Sequence, residues 1–203
     1  GGLNPHTRKL ANSPTQMEMM IMKELTIDRS ESVILTKFLG VCVFTAALCF
    51  SALVKVPLFF TPVPITLQTM IVCLSGAVLG PRCGVAAVVS YLALGLFGVP
   101  LFTQAGSGLL YFFGPTGGYL IGFLLASLFV GKLAQSVKTN SLVIWSAVMF
   151  VGMLAIYSVG ALWLKVGYGW TLKNIIFLGV LPFVVPDMFK AIFAALIYRR
   201  FKS

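Results

Sequence analysis

Acidic side chains are scarce in this chain, and their distribution is uneven. Asp and Glu number 5 against 15 Lys and Arg, and Asp187 is the only carboxylate between Ser32 and the C-terminus. Aspartyl proteolysis inside a membrane needs two carboxylates, so this chain is excluded from it. Histidine is represented by His6 alone, in a polar N-terminal stretch. Neither a serine–histidine protease nor a zinc centre can be built from that supply. The four cysteines, Cys42, Cys49, Cys73 and Cys83, contain no C-x-x-C pair, and they read as small packing residues. No G-x-x-x-x-G-K-[ST] run occurs, which excludes a P-loop, and Gly106-Ser107-Gly108 does not extend to a dinucleotide fingerprint. The rings of like charge or polar-lined helices typical of a channel are missing too.

What remains is apolar. Hydrophobic residues make up 59% of the 203 positions and charged ones only 10%, against about 25% charged in a soluble domain. With a mean hydropathy of +0.99, the composition is that of a polytopic all-α membrane protein. The net charge of +10 does not indicate nucleic acid, because the basic residues sit in hydrophilic gaps between apolar runs. They read as topology determinants.

Six spanning segments are expected, near 33–54, 64–80, 83–97, 116–135, 142–164 and 172–198. The second and third are at or below the length of about 17–25 residues that a spanning helix needs. Lys23, Arg29, Lys37, Arg82, Lys132, Lys138, Arg199, Arg200 and Lys202 then share one side, against Lys55, Lys165 and Lys173 on the other. The richer side is expected to be cytoplasmic, giving both termini inside. Residues 1–16 are polar and are set aside as an expression remnant, a mis-called start or a disordered tail, with Met17 a plausible initiator and no cleavable signal peptide expected. Residues 17–32 form an N-terminal cytoplasmic segment, and 33–203 a single six-helix membrane domain.

Small residues recur every fourth position at Gly76, Gly80 and Gly84 and at Gly114, Gly118 and Gly122. That spacing lets helix backbones approach closely. Ala47 and Ser51, also four apart, are candidates for a partner-facing surface. The stretch from Gly98 to Pro115 carries no charge and several aromatics. It is external in this topology, between the third and fourth spans, and is expected to fold back as a lid or re-entrant wall. The Thr61-Pro62-Val63-Pro64 element on the same side is stiffened by its prolines.

The strongest functional signal is the run Pro186-Asp187-Met188-Phe189-Lys190, inside the last apolar segment. Ionisable groups in a membrane core mark binding sites or ion paths by default. Pro182 and Pro186 predict a kink. Pro186 suits the first turn of a lower half-helix, which places Asp187 near a favourable dipole end and Lys190 one turn on. An internal ion pair with no ligand, or a Lys190 that snorkels, is the plainer alternative. Three functions stay open on the residues alone: capture of a small ligand of mixed character, proton-coupled carriage through Asp187, or a non-transport membrane scaffold.

Several runs point further. Val63-Pro64-Ile65-Thr66-Leu67-Gln68-Thr69, Leu79-Gly80-Pro81-Arg82, Tyr91-Leu92-Ala93-Leu94-Gly95, Gly98-Val99-Pro100, Gly114-Pro115-Thr116-Gly117-Gly118-Tyr119 and the late Pro-x-Asp-x-x-Lys occur in that order over about residues 40–200. The chain resembles the BioY family, the biotin-specific substrate-binding (S) components of energy-coupling factor (ECF) transporters. The resemblance implies a non-enzymatic, multi-pass protein of the bacterial plasma membrane that captures biotin externally. It implies a transmembrane coupling protein and two ABC ATPases as partners, so ATP is used elsewhere, and no cofactor of its own. It further implies that Asp187 accepts from a ureido N–H and that Lys190 donates to a ligand oxygen or holds Asp187. Gln104, Tyr111, Gly114 and Tyr119 are candidates for the surrounding wall, Tyr111 and Tyr119 being equally readable as interfacial anchors. An S component for another vitamin is the nearest alternative.

Overall fold

The chain is long in apolar residues and short in turn signals, and it folds almost entirely as helix. The structure, a computed structural model, describes residues 16–102 and 106–202. Helix α1 runs Gln16–Leu53; strands β1 (Lys55–Val56) and β2 (Ile65–Thr66) pair antiparallel, Lys55 opposite Thr66. Helix α2 is Gln68–Leu96, α3 is the short Gly108–Phe112, α4 is Gly117–Ser136 and α5 is Leu142–Tyr168. The last rod comprises α6 (Leu172–Asn174), a π-helical segment (Ile175–Val180) and α7 (Leu181–Lys202). Two units are distinguished, Gly1–Leu39 and Gly40–Ser203. The first is helical where described. The second contains the core and the features discussed below.

Five described helices are long and apolar enough to cross a membrane: Glu31–Leu53, Gln68–Leu96, Gly117–Ser136, Leu142–Tyr168 and the rod Leu172–Lys202. Large apolar side chains such as Phe50, Val143, Phe193 and Phe201 lie exposed on their outer faces, which hydrocarbon tolerates and water does not. Leu48, Val72, Val88, Met149, Met153 and Leu164 are buried between them.

Helix α2 is not a straight rod. Gly80 adopts φ 80°, ψ 172°, a conformation that glycine accepts readily, and Pro81 follows with no amide to continue the ladder. The chain reverses there. Gln68 Nε2 donates to Tyr91 Oη at 2.7 Å although the two are 23 positions apart, about 34 Å along a straight helix. Two antiparallel arms therefore lie against each other. Their closest approach uses the small-residue spacing: a Cβ on Gly84 would stand 2.7 Å from the Gly76 Cα and 2.7 Å from Ser127 Oγ of α4. Gly122 similarly brings α4 against α5, where an added Cβ would meet the Ile156 Cα at 2.8 Å.

The last rod corrects one expectation. The irregularity lies at Ile175–Val180, and α7 is continuous through Pro186. Pro182 follows directly on the π segment, and its missing amide interrupts the ladder of the same rod. Asp187 therefore sits in the second turn of α7 and not at a half-helix N-terminus. The wide π turn leaves carbonyls poorly partnered along the ladder, and Tyr119 of α4 donates its hydroxyl to the Gly179 carbonyl at 2.8 Å.

Candidate functional site

Asp187 is 1% exposed, and both of its oxygens are engaged. Lys190 Nζ, one turn along α7, reaches Oδ1 at 2.6 Å. Thr69 Oγ1, in the first turn of α2, donates to the same oxygen at 3.1 Å. Tyr157 of α5 donates to Oδ2 at 2.5 Å. Lys190 in turn donates to the Thr66 carbonyl of β2 at 2.6 Å and lies 3.4 Å from Thr69 Oγ1. Charge-assisted bonds of this kind are short and about twice as strong as neutral ones. The pair is thereby held by three separate elements besides its own helix. A one-turn spacing lets the two side chains meet, and the reversal at Gly80 leaves the start of α2 beside them.

The pair lines a pocket. Phe183, one turn before Asp187, and Phe123 and Ile156 from α4 and α5 give it apolar walls. Val63, Pro64 and Ile65 form another side, so the stiff proline element becomes part of the wall. Tyr111 and Thr116, which precede α4, and Tyr119 and Leu120 in its first turn also line it. A mostly apolar concavity with a few convergent polar groups is the usual form of a small-molecule site. Among the described residues no buried side-chain nitrogen or oxygen lacks a partner. The polar end is preorganised before any ligand arrives.

In the glycine-rich stretch between α2 and α4, Phe102 is turned inward while Leu109, Leu110 and Phe113 are exposed. Phe102 is 1% exposed and forms an antiparallel bridge to Gly106. Its ring stacks on Tyr111 at 5.1 Å and meets Tyr91 edge-on at 5.8 Å. Tyr91 Oη also donates to the Leu101 carbonyl at 3.2 Å. Farther along, Trp163 Nε1 donates to the Gly114 carbonyl at 3.1 Å, and Phe113 stacks on the same indole at 6.4 Å.

Of the residues singled out from sequence, Asp187, Lys190, Tyr111 and Tyr119 all line this cavity. Gly114 lies in the turn before α4, outside the lining. Gln104 falls outside the described residues. Ala47 is half-buried in α1, while Ser51 is buried and donates to the Leu48 carbonyl at 2.8 Å. Thr69 and Tyr157 were not legible as site residues. Thr69 stands at the end of the Val63–Thr69 run, which was itself a signal. Tyr157 is one hydroxyl in a long apolar helix, and nothing in its spacing points to Asp187.

The family model of the BioY family matches residues 21–203. The chain belongs to the BioY family. Among curated relatives, the biotin transporter BioY of Thermotoga maritima is 39% identical over 161 residues, 79% of this chain and 92% of that protein. The probable biotin transporter BioY of Pyrococcus horikoshii is 39% identical over 142 residues, covering 70% and 82%. A crystal structure of the S-component for biotin from an ECF-type ABC transporter superposes with a TM-score of 0.79 at 30% identity, over 84% of this chain and 93% of that one. These BioY relatives and the apolar helices agree on a multi-pass membrane protein whose family serves transport and not catalysis.

Proposed function

We propose that the chain is the biotin-capturing S component of an ECF-type transporter in the plasma membrane. The observation that carries this is the buried Asp187–Lys190 pair at one end of an apolar cavity, in a chain whose relatives are named biotin transporters. Biotin fits the chemistry. Its fused rings and valeryl chain are apolar, and its ureido group has two N–H donors and one carbonyl. Asp187 accepts from a ureido N–H, and Lys190 donates to the ureido oxygen or holds Asp187 in place. Tyr157 and Thr69 orient the carboxylate. Tyr111 and Tyr119 supply wall contacts, with Gly114 in the adjoining turn.

Within this reading the arms of α2 cross the bilayer as separate spans, giving six in the 33–203 domain. Three facts support it: the reversal at Gly80, the Gln68–Tyr91 bond, and the clustering of basic residues at one end. An added Cβ on Gly80 would stand 3.4 Å from Gln135 Nε2, Lys202 Nζ reaches the Val137 carbonyl at 2.7 Å, and Arg199 Nε reaches Asn140 at 3.1 Å. By the positive-inside rule that end, with Arg82, Lys132 and Lys138, faces the cytoplasm, and both termini are inside. A coupling protein and two ABC ATPases power the transport, and α1 meets the coupling protein on the side of the half-buried Ala47, the buried Ser51 being unable to reach a partner.

Binding competition among biotin, riboflavin and thiamine tests the substrate. Biotin alone is expected to bind and to resist displacement by the other two; displacement by either vitamin contradicts the assignment. Uptake into vesicles carrying the full module is expected to need ATP and to survive an uncoupler. Collapse on uncoupling, in vesicles lacking any ATPase, would support a proton-coupled carrier instead.

A further inference from the structure

The cavity offers an ion pair and no spare cation, which bears on the part of the ligand that carries its charge. Among the described residues, every one that lines the cavity is neutral except Asp187 and Lys190. Those two are joined at 2.6 Å, so the polar end has no net charge to offer an anion. A carboxylate placed there would face the Asp187 carboxylate at close range, and like charges in a low-dielectric site repel strongly.

The opposite end, near Tyr111 and Thr116, is uncharged as well. The whole stretch from Gly98 to Pro115 has no ionisable group except Tyr111, and Val63, Pro64 and Ile65 add none. Lys165 and Lys173 lie beyond the cavity, in the last turn of α5 and in α6. Lys55 stands on β1 opposite Thr66 and is outside the lining. Among the described residues lining the cavity there is no cation outside the Asp187–Lys190 pair to recognise a ligand acid.

We propose that the site recognises the ureido-ring end of biotin and does not read its carboxylate, so that amides and esters of biotin are also substrates for capture. This rests on the reading of the cavity as the biotin site. The acceptable ligand class is then any neutral or charged acyl derivative small enough for the Tyr111 end, not the free acid alone. Selectivity lies in the ring system, where Asp187 and Lys190 supply an acceptor and a donor at fixed positions.

The test is calorimetric binding of biotin and of biotin N-methylamide to the purified full chain, in wild type and in Lys55→Ala. The amide is expected to bind within about threefold of the acid, a difference of about 0.7 kcal/mol or less. Lys55→Ala is expected to leave the ratio of the two affinities unchanged. A loss of about tenfold or more for the amide overturns the inference while leaving the biotin site intact. A selective loss of acid binding in Lys55→Ala overturns it too, by showing that Lys55 reads the carboxylate. Failure of biotin itself to bind the folded wild type overturns both this inference and the assignment beneath it.

Discussion

The two ends of the cavity are held by different forces. At one end Asp187, Lys190, Tyr157 and Thr69 form a closed set of short polar bonds, two of them to the ammonium or carboxylate at 2.5–2.6 Å. Beside the lining residue Tyr111, Phe102 and Tyr91 pack ring against ring at 5.1–5.8 Å in an uncharged region. The polar end relies on matched charges that are costly to separate in a dry interior. The aromatic end relies on area and shape, which degrade gradually when atoms are removed. Chemical selection is thus concentrated where the structure tolerates least change, and access is left to an element without charge.

This contrast can be tested by removing one feature at a time. Asp187→Ala strands the Lys190 ammonium, and leaving one member of a buried pair unpartnered costs about 3–5 kcal/mol. Biotin affinity is expected to fall at least about tenfold, with clear loss of thermal stability; calorimetry and detergent-solution melting measure both. Phe102→Ala opens a cavity under the loop, an effect of about 3–5 kcal/mol for a buried phenylalanine. Its signature differs: stability falls, and affinity falls by only about threefold in protein that remains folded. Tyr157→Phe removes one bond to a charged acceptor, about 1.5–3 kcal/mol. It is expected to weaken biotin binding less than Asp187→Ala does and to leave Lys190 paired. Lys165→Ala, outside the cavity, is expected to change stability by no more than about 0.5 kcal/mol and binding not at all, as paired titrations would show.

The charge pair was legible in the sequence because a carboxylate in an apolar run is conspicuous wherever it falls. The inward turn of Phe102 agrees with the lack of charge from Gly98 to Pro115, while Leu109, Leu110 and Phe113 of the same stretch are exposed. The Gly76 and Gly84 spacing announced close packing, though not that the two residues would face each other across a reversal at Gly80. That reversal is what sets Thr69 near Asp187 and Gln68 near Tyr91, contacts spanning 118 and 23 positions. No local pattern encodes such distances. Placing the start of a half-helix at Pro186 failed for a related reason. Pro182 and Pro186 both signal disruption, but which of them starts a helix depends on how the preceding turns pack. Here Tyr119 of α4 partners Gly179 and the wide turn lies at Ile175–Val180.

The central claim is that the neutral Asp187–Lys190 pair captures biotin. Calorimetric titration of biotin into wild type and Asp187→Asn, both verified as folded, measures it. Asparagine keeps the size of the side chain and removes its charge. The account predicts tight binding in wild type and a loss of at least about tenfold in the variant. Equal affinity in the two proteins would contradict it and leave the pair a structural feature of the bundle.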